Sequence, residues 1–118
     1  MKTTTKYLIV VTGLLIMACN NNKNTGTATH SKADFKIWGN CDMCKETIEG
    51  ALKAEGIQSA DWNKDTKMMT VSYDSTKISL DQIEKDIAAV GYDTEKYRGD
   101  DRAYSGLPEC CQYRRKDQ

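Results

Sequence analysis

Residues 33–56, which read ADFKIWGNCDMCKETIEGALKAEG, change from a two-residue to a helical hydrophobic period and carry two cysteines at the change. Phe35 and Ile37 alternate with other residue types, which predicts a half-buried strand over Ala33–Trp38. Over Cys41–Glu55 the apolar side chains recur every three or four residues, which predicts an amphipathic helix. Its apolar stripe comprises Cys44, Ile48, Ala51 and Leu52.

The residues that follow continue the alternation of strands and helices. Gly56 suits a left-handed end to the first helix. A second strand is predicted over Ile57–Trp62, and the candidate for a last strand is Thr94–Arg98. The elements between them are a third strand with Met69, Val71 and Tyr73 on one face, and a helix with Leu80, Ile83, Ile87 and Val90 that Ser79 caps and Gly91 ends. This order predicts a two-layer α+β sandwich.

The two cysteines of Cys41-Asp-Met-Cys44 lie between the first strand and the first helix. A spacing of three residues lets both thiols face the same side of a first helical turn. The unpaired N–H groups and partial positive charge of a helix N-terminus favour thiolates, the form that binds metals or attacks disulfides. With no imidazole or carboxylate nearby, soft thiolates favour Cu(I) and other thiophilic ions. The motif alone leaves three hypotheses open: a soft-metal site, a redox site and a structural disulfide.

A CxxC pair at this place in a βαββαβ pattern resembles the heavy-metal-associated domain of copper chaperones, copper-ATPase modules and periplasmic mercury-binding proteins. The resemblance covers residues 34–97 and includes Cys41, Cys44, Ile48, Leu52, the strand Met69–Tyr73 and Gly91-Tyr92-Asp93. It implies a ferredoxin-like sandwich with a four-stranded antiparallel sheet. It also implies that Cys41 and Cys44 bind copper(I), with mercury(II), zinc and cadmium as alternatives, and that Tyr92 lies beside the metal-binding loop. The implied partner is a metal-transporting ATPase or another cysteine-bearing donor or acceptor.

The chain departs from that family's pattern just before the cysteines. The family has a methionine two residues before the first cysteine, where it packs under the loop, and this chain has Gly39. The departure still allows metal ligation but predicts a change in loop rigidity, affinity and metal preference. Met43, between the two cysteines, is interpreted as a packing residue and not as a thioether ligand.

The first 18 residues have the organisation of a bacterial secretory signal. A short basic stretch precedes the apolar run Tyr7–Met17, which is too short to span a bilayer. Ile16-Met-Ala-Cys19 resembles the lipoprotein box, which implies cleavage before Cys19 and attachment of lipid to its sulfur. The polar residues after it predict a flexible tether over residues 19–32, with His30 solvated. We therefore expect a lipid-anchored envelope protein that faces the periplasm or the cell surface; an ordinary signal peptide is the alternative.

Composition narrows the function classes. Of the 118 residues, removal of 1–18 takes away two lysines and no acidic residue, which leaves 15 basic and 17 acidic side chains and a net charge of −2. This balance does not favour a nucleic-acid partner, and we expect membrane contact through the lipid anchor alone. The sequence shows no catalytic triad, acid–base carboxylate pair or phosphate loop, so we expect no enzyme. The alternatives are a thiol–disulfide oxidoreductase that uses the CxxC pair and a disulfide-bonded interaction module.

A second cysteine pair, Cys110 and Cys111, lies beyond the domain that we assign to residues 33–98, in a C-terminal tail of residues 99–118. A disulfide between neighbouring cysteines closes a strained ring, and adjacent cysteines suit a closed zinc site poorly. One hypothesis is that the pair is incidental or disulfide-bonded near a frayed terminus. The other is that the tail folds back and supplies one or two further thiolates, either to the ion at Cys41 and Cys44 or to a second soft ion.

Overall fold

The computed structural model describes residues 29–118. Its elements in chain order are β1 His30–Lys36, α1 Asp42–Ala51, β2 Ile57–Trp62, β3 Met68–Asp74, α2 Leu80–Ala89, α3 Asp101–Ser105 and a 3-10 turn Glu109–Cys111. The predictions of a signal peptide, of lipidation at Cys19 and of a tether up to residue 28 lie outside the described residues. Within the part of the chain that the structure describes, no helix has both the length and the apolar character needed to cross a membrane.

The sheet is antiparallel, and β3 lies between β1 and β2. In this register Met69 pairs with Phe35 on one side and with Trp62 on the other, and all three side chains are buried. The buried side chains of α1 and α2, among them Ile48 and Ile87, belong to the same core. The predicted two-layer α+β sandwich is therefore confirmed.

β1 begins three residues earlier than predicted. His30 pairs in register with Asp74, and its ring contacts the side chain of Gln58. Residues 30–32 are therefore part of the sheet and not of a tether, because the strand continues as long as β3 supplies pairing partners. At its other end β1 stops at Lys36, while the half-buried Trp38 donates its N–H to the carbonyl of Asp93 at 2.9 Å.

The prediction of a fourth strand over Thr94–Arg98 is wrong. Within residues 29–118 this segment contributes one isolated bridge, between Thr94 and Ile37, and the sheet has three strands. The Thr94 N–H donates to the carbonyl of Tyr97 at 2.8 Å, and the Tyr97 N–H donates to the Thr94 hydroxyl at 2.9 Å. A local turn thus satisfies the backbone groups that a strand would have paired with its neighbour.

The helix boundaries are partly as predicted. α2 begins after Ser79, whose hydroxyl accepts from the Gln82 N–H at 3.1 Å as expected for an N-cap. α1 ends at Ala51, four residues before the predicted end at Glu55, and a turn leads to Gly56. Gly56 has φ +91°, so the left-handed glycine is where the sequence indicated, but a turn separates it from the helix.

The tail folds back onto the domain. Its buried side chains are Cys111 at the end of the 3-10 turn, Tyr113 and Arg115, and the residues between them are exposed. At the start of the tail the backbone passes directly over the end of α2: a Cβ at Gly99 would lie 2.6 Å from the carbonyl carbon of Gly91. Only a residue without a side chain permits this approach.

Candidate metal centre

Cys41 and Cys44 lie at the N-terminus of α1. Cys41 is the N-cap residue in an extended conformation, and Cys44 lies in the first turn. Their sulfurs are 3.1 Å apart; Cys44 is fully buried and Cys41 is partly exposed. The Cys44 thiol donates to the side-chain oxygen of Asn40 at 3.3 Å. The spacing of three residues therefore brings both sulfurs to one side of the helix start, as the sequence predicted.

The tail adds a third sulfur to this pair. The Sγ of Cys111 lies 3.3 Å from the Sγ of Cys41, and the three sulfurs all lie within 4.8 Å of one another. Cys110 points outward: it is exposed, and its Sγ lies 3.9 Å from that of Cys111 and 3.6 Å from the Sδ of Met43. All four cysteines of residues 29–118 are free thiols. Of the two tail cysteines that the sequence could not tell apart, the fold brings Cys111 into the cluster.

The donor set is purely sulfur. Cys41, Cys44 and Cys111 form the cluster within residues 29–118, with no imidazole or carboxylate among them. Burial raises the pKa of the Cys111 thiol well above its usual range, and hydrogen bonding with Cys41 and Cys44 acts in the same direction. The apo site therefore keeps a proton on Cys111, and a soft ion that bonds to this sulfur displaces that proton.

Tyr92 lies against the cluster, at the place that the resemblance implies. Its side chain is fully buried, and its hydroxyl is the buried side-chain polar atom of the described residues that has no hydrogen-bond partner. Burial raises the pKa of Tyr92 well above its usual range, and the neighbouring thiols of Cys44 and Cys111 add to this effect. The hydroxyl therefore stays protonated, with a proton free to donate toward sulfur.

The space under the cysteine loop is filled by Trp62, at the end of β2. A Cβ at Gly39 would lie 2.8 Å from the indole ring of Trp62 and 3.4 Å from the Cβ of Cys44. The indole is fully buried, and its N–H donates to the carbonyl of Ile37 at 3.1 Å. The end of β2 thus supplies, from a distant part of the sequence, packing that the resemblance assigned to a methionine on the loop.

Sequence reasoning missed the residues that hold the tail in place. The Tyr113 hydroxyl donates to the Gly91 carbonyl at 2.7 Å and accepts from the Asp93 N–H at 2.8 Å. Its ring stacks on that of Tyr92, with 5.4 Å between centroids. The available signal was short: Cys111 and Tyr113 alternate with Gln112 and Arg114, but the charged Arg115 breaks this apolar pattern.

An ion pair fixes the end of the tail. The Arg115 guanidinium lies 2.7 Å from the Asp93 carboxylate, and both side chains are buried. Burial alone would raise the pKa of Asp93, but hydrogen bonds from Arg115 and from the N–H groups of Gly99 and Lys116 outweigh it, so the pKa lies below its usual value. The carboxylate therefore remains ionised and bound to the tail at neutral pH.

A two-layer α+β sandwich with paired cysteines at the start of its first helix defines a class of thiol-based metal-binding domains. The model of the heavy-metal-associated domain family matches residues 40–93. The copper chaperone CopZ of Staphylococcus haemolyticus is 36% identical over 56 residues, which cover 47% of this chain and 82% of the relative. The chain belongs to the heavy-metal-associated domain family.

Solved structures show the same relationship. A CopZ metallochaperone superposes with a TM-score of 0.53 at 33% identity, over 54% of this chain and 98% of its own. The N-terminal domain of a potential copper-translocating P-type ATPase from Bacillus subtilis, in the Cu(I)-loaded state, gives 0.53 at 31% identity, over 55% and 84% of the two chains. These neighbours place the chain among the ferredoxin-like α+β folds. The family match ends at Asp93, so Cys111 and the tail lie outside it.

Proposed function

We propose that this protein binds copper(I) as its cargo through Cys41 and Cys44 and then transfers or sequesters the ion. The observation that carries the proposal is the 3.1 Å approach of the two sulfurs at the N-terminus of α1. Soft thiolates bind Cu(I) in preference to hard cations, and the partial positive charge at the helix start offsets their negative charge. Copper in the names of the CopZ relative and of the ATPase domain supports this choice of metal. Mercury(II), zinc and cadmium remain the alternative ions for this donor set.

Transfer proceeds by exchange of thiolate ligands. Cys41 is partly exposed and Cys44 fully buried, so an incoming thiolate reaches the ion on the Cys41 side. A bond from the ion to the partner's sulfur forms before the bond to Cys41 breaks, and no electron changes hands. The partner is a cysteine-bearing protein such as a metal-transporting ATPase, and a Cu(I)-loaded ATPase domain with this fold supports that assignment.

The proposed role is binding and not catalysis. The cysteine pair serves as a ligand set, and no reaction of the cargo is required. The comparisons do not support the alternative of a thiol–disulfide oxidoreductase, because the relatives described above are copper chaperones and an ATPase metal domain.

Attachment to the cell envelope is the part of the proposal that rests on sequence alone. Cleavage before Cys19 and lipid on its sulfur would leave the folded domain on a polar tether. Labelling of cells with a radioactive fatty acid should mark the wild-type protein and not a Cys19→Ser variant, while Cys110→Ser should label as wild type. Absence of label from the wild-type protein would contradict the anchor.

Anaerobic titration of the reduced protein with Cu(I), in competition with a chromophoric chelator, tests the proposed metal binding. We expect one tight equivalent that is weakened in Cys41→Ser and in Cys44→Ser and lost when both cysteines are replaced. Met43→Leu, which changes an exposed side chain between the two ligands, is the matched control and should retain the equivalent. Unchanged binding in both cysteine variants would refute the proposal.

A further inference from the structure

The tail sulfur of Cys111 lies beside the CxxC pair, and this position changes the coordination that the site offers. We propose that Cys111 is a third thiolate ligand, so that Cys41, Cys44 and Cys111 hold a single soft ion in a trigonal centre. This inference deepens the proposed function and rests on it. Cys111 lies outside the part of the chain that matches the family, so the third ligand is a property of this chain's own tail.

The sulfur separations favour three-coordination over two. With metal–sulfur bonds of about 2.3 Å, a linear ion needs sulfurs about 4.6 Å apart, whereas a planar trigonal ion needs about 4.0 Å. The Cys41–Cys44 and Cys41–Cys111 separations are 3.1 and 3.3 Å. Both pairs reach the trigonal spacing by opening less than about 1 Å, and the linear spacing requires about 1.5 Å of movement in a buried, packed site.

The third sulfur is held in position by the packing of the tail residues that follow it. Cys111 is 1% exposed, and two residues further on Tyr113 is fixed by its stack on Tyr92 and by two hydrogen bonds. Arg115 adds the buried ion pair with Asp93. The tail is thus docked by interactions independent of any metal, so little further ordering is needed when Cys111 becomes a ligand.

An independent observation also points to a ligand-bound form. The buried Tyr92 hydroxyl has no hydrogen-bond partner in the described part of the chain, although Cys44 and Cys111 lie next to it. A buried donor without an acceptor is costly. Deprotonation of these thiols by an incoming ion supplies a negatively charged sulfur acceptor, and charge-assisted hydrogen bonds of this kind are stronger than neutral ones. The Tyr92 hydroxyl therefore gains an acceptor when the ion is bound.

A third ligand from the tail shifts the balance between transfer and retention. Cys111 covers the ion from outside the domain, and an incoming partner must compete with it as well as with Cys41. Mutation of residues that only hydrogen-bond to metal ligands typically lowers metal affinity by about 10–100-fold. Loss of Cys111 itself is therefore expected to lower Cu(I) affinity by at least about tenfold and to speed transfer to a chelator.

The adjacent cysteines supply a matched pair of variants. The full chain is used in detergent, with Cys19→Ser in every sample so that this thiol does not contribute. Cu(I) affinity is measured by chelator competition, and sulfur coordination number by X-ray absorption. We expect three sulfurs for the parent and for Cys110→Ser, two for Cys111→Ser, and an affinity loss of about tenfold or more in Cys111→Ser alone. Urea unfolding of each apo variant checks the fold, and Cys111→Ala replaces Cys111→Ser if the latter unfolds.

Each other outcome has a definite meaning. Equal affinity and coordination number in the parent and both Cys111 variants would show that Cys111 is not a ligand, and the proposed function would stand on Cys41 and Cys44. Two tight equivalents in the parent that fall to one in Cys110→Ser would overturn the single-ion centre in favour of a second site in the tail. A parent that binds no Cu(I) would refute the proposed function itself.

Discussion

Arg115→Met removes the cation that balances the buried Asp93 carboxylate. Arg115 is 4% exposed, Asp93 is 0% exposed, and their nearest nitrogen and oxygen are 2.7 Å apart. Removing one partner of a buried pair typically costs about 3–5 kcal/mol, because the other charge stays buried without compensation. The N–H groups of Gly99 and Lys116 still donate to Asp93 at 2.7 and 3.0 Å. We therefore expect Arg115→Met to lower the free energy of unfolding by about 3 kcal/mol, the lower end of that range.

The assay is urea unfolding of the apo protein, followed by circular dichroism. Arg114→Met is the matched control, because Arg114 is exposed and, within the described residues, its side chain hydrogen-bonds only to the carbonyl of Gln118. We expect it to change the free energy of unfolding by less than about 0.5 kcal/mol. Adding Asp93→Asn to Arg115→Met removes the uncompensated charge and should restore more than about 1 kcal/mol.

Two results would refute this reasoning. If Arg115→Met unfolds at the same urea concentration as Arg114→Met, the ion pair does not stabilise the docked tail. If the double variant is as unstable as the sum of the two single changes, Asp93 and Arg115 are not coupled. In either case the fixed position of Cys111 would need another explanation.

Two further predictions concern the loop and the tail. Gly39→Ala should destabilise the protein by about 1–3 kcal/mol in urea unfolding, because its Cβ would lie 2.8 Å from Trp62. The control Gly50→Ala, with no atom within 4 Å of its Cβ, should stabilise the protein by about 0.5–1 kcal/mol. Stability changes of the same sign in the two variants would contradict the packing of Trp62 under the loop. The low pKa of Asp93 means that its contribution to stability is fully present above its unfolded value of 3.8 and is lost as pH falls through the folded value. Below pH 4, the free energy of unfolding should therefore fall more steeply with decreasing pH in wild type than in Asp93→Asn. Equal slopes of unfolding free energy against pH would exclude this contribution.

Local chemistry determined much of the fold and the first two site residues. The Ile57–Trp62 strand has the predicted bounds, Ser79 caps α2 as predicted, and Gly56 has the left-handed conformation that its position indicated. The CxxC spacing at a helix start placed two sulfurs together. Each of these features depends on residues a few positions apart, so periodicity and capping are enough to predict it.

Features that depend on distant residues were decided by the tertiary structure. The sequence indicated Thr94 as the start of a strand, but its hydroxyl and N–H form a local turn instead. The packing of Trp62 under Gly39 joins the end of β2 to a loop 23 positions earlier.

The tail cysteines show the same limit most clearly. Cys110 and Cys111 are chemically equivalent neighbours in the sequence, and the 3-10 turn Glu109–Cys111 leaves the first side chain exposed and the second buried. Which of the two meets the CxxC pair was set by the docking of Tyr113 and Arg115, through contacts that span about twenty residues. The sequence by itself determined that the chain carries a sulfur pair at a helix start, and only the packed tail determined that a third sulfur lies beside it.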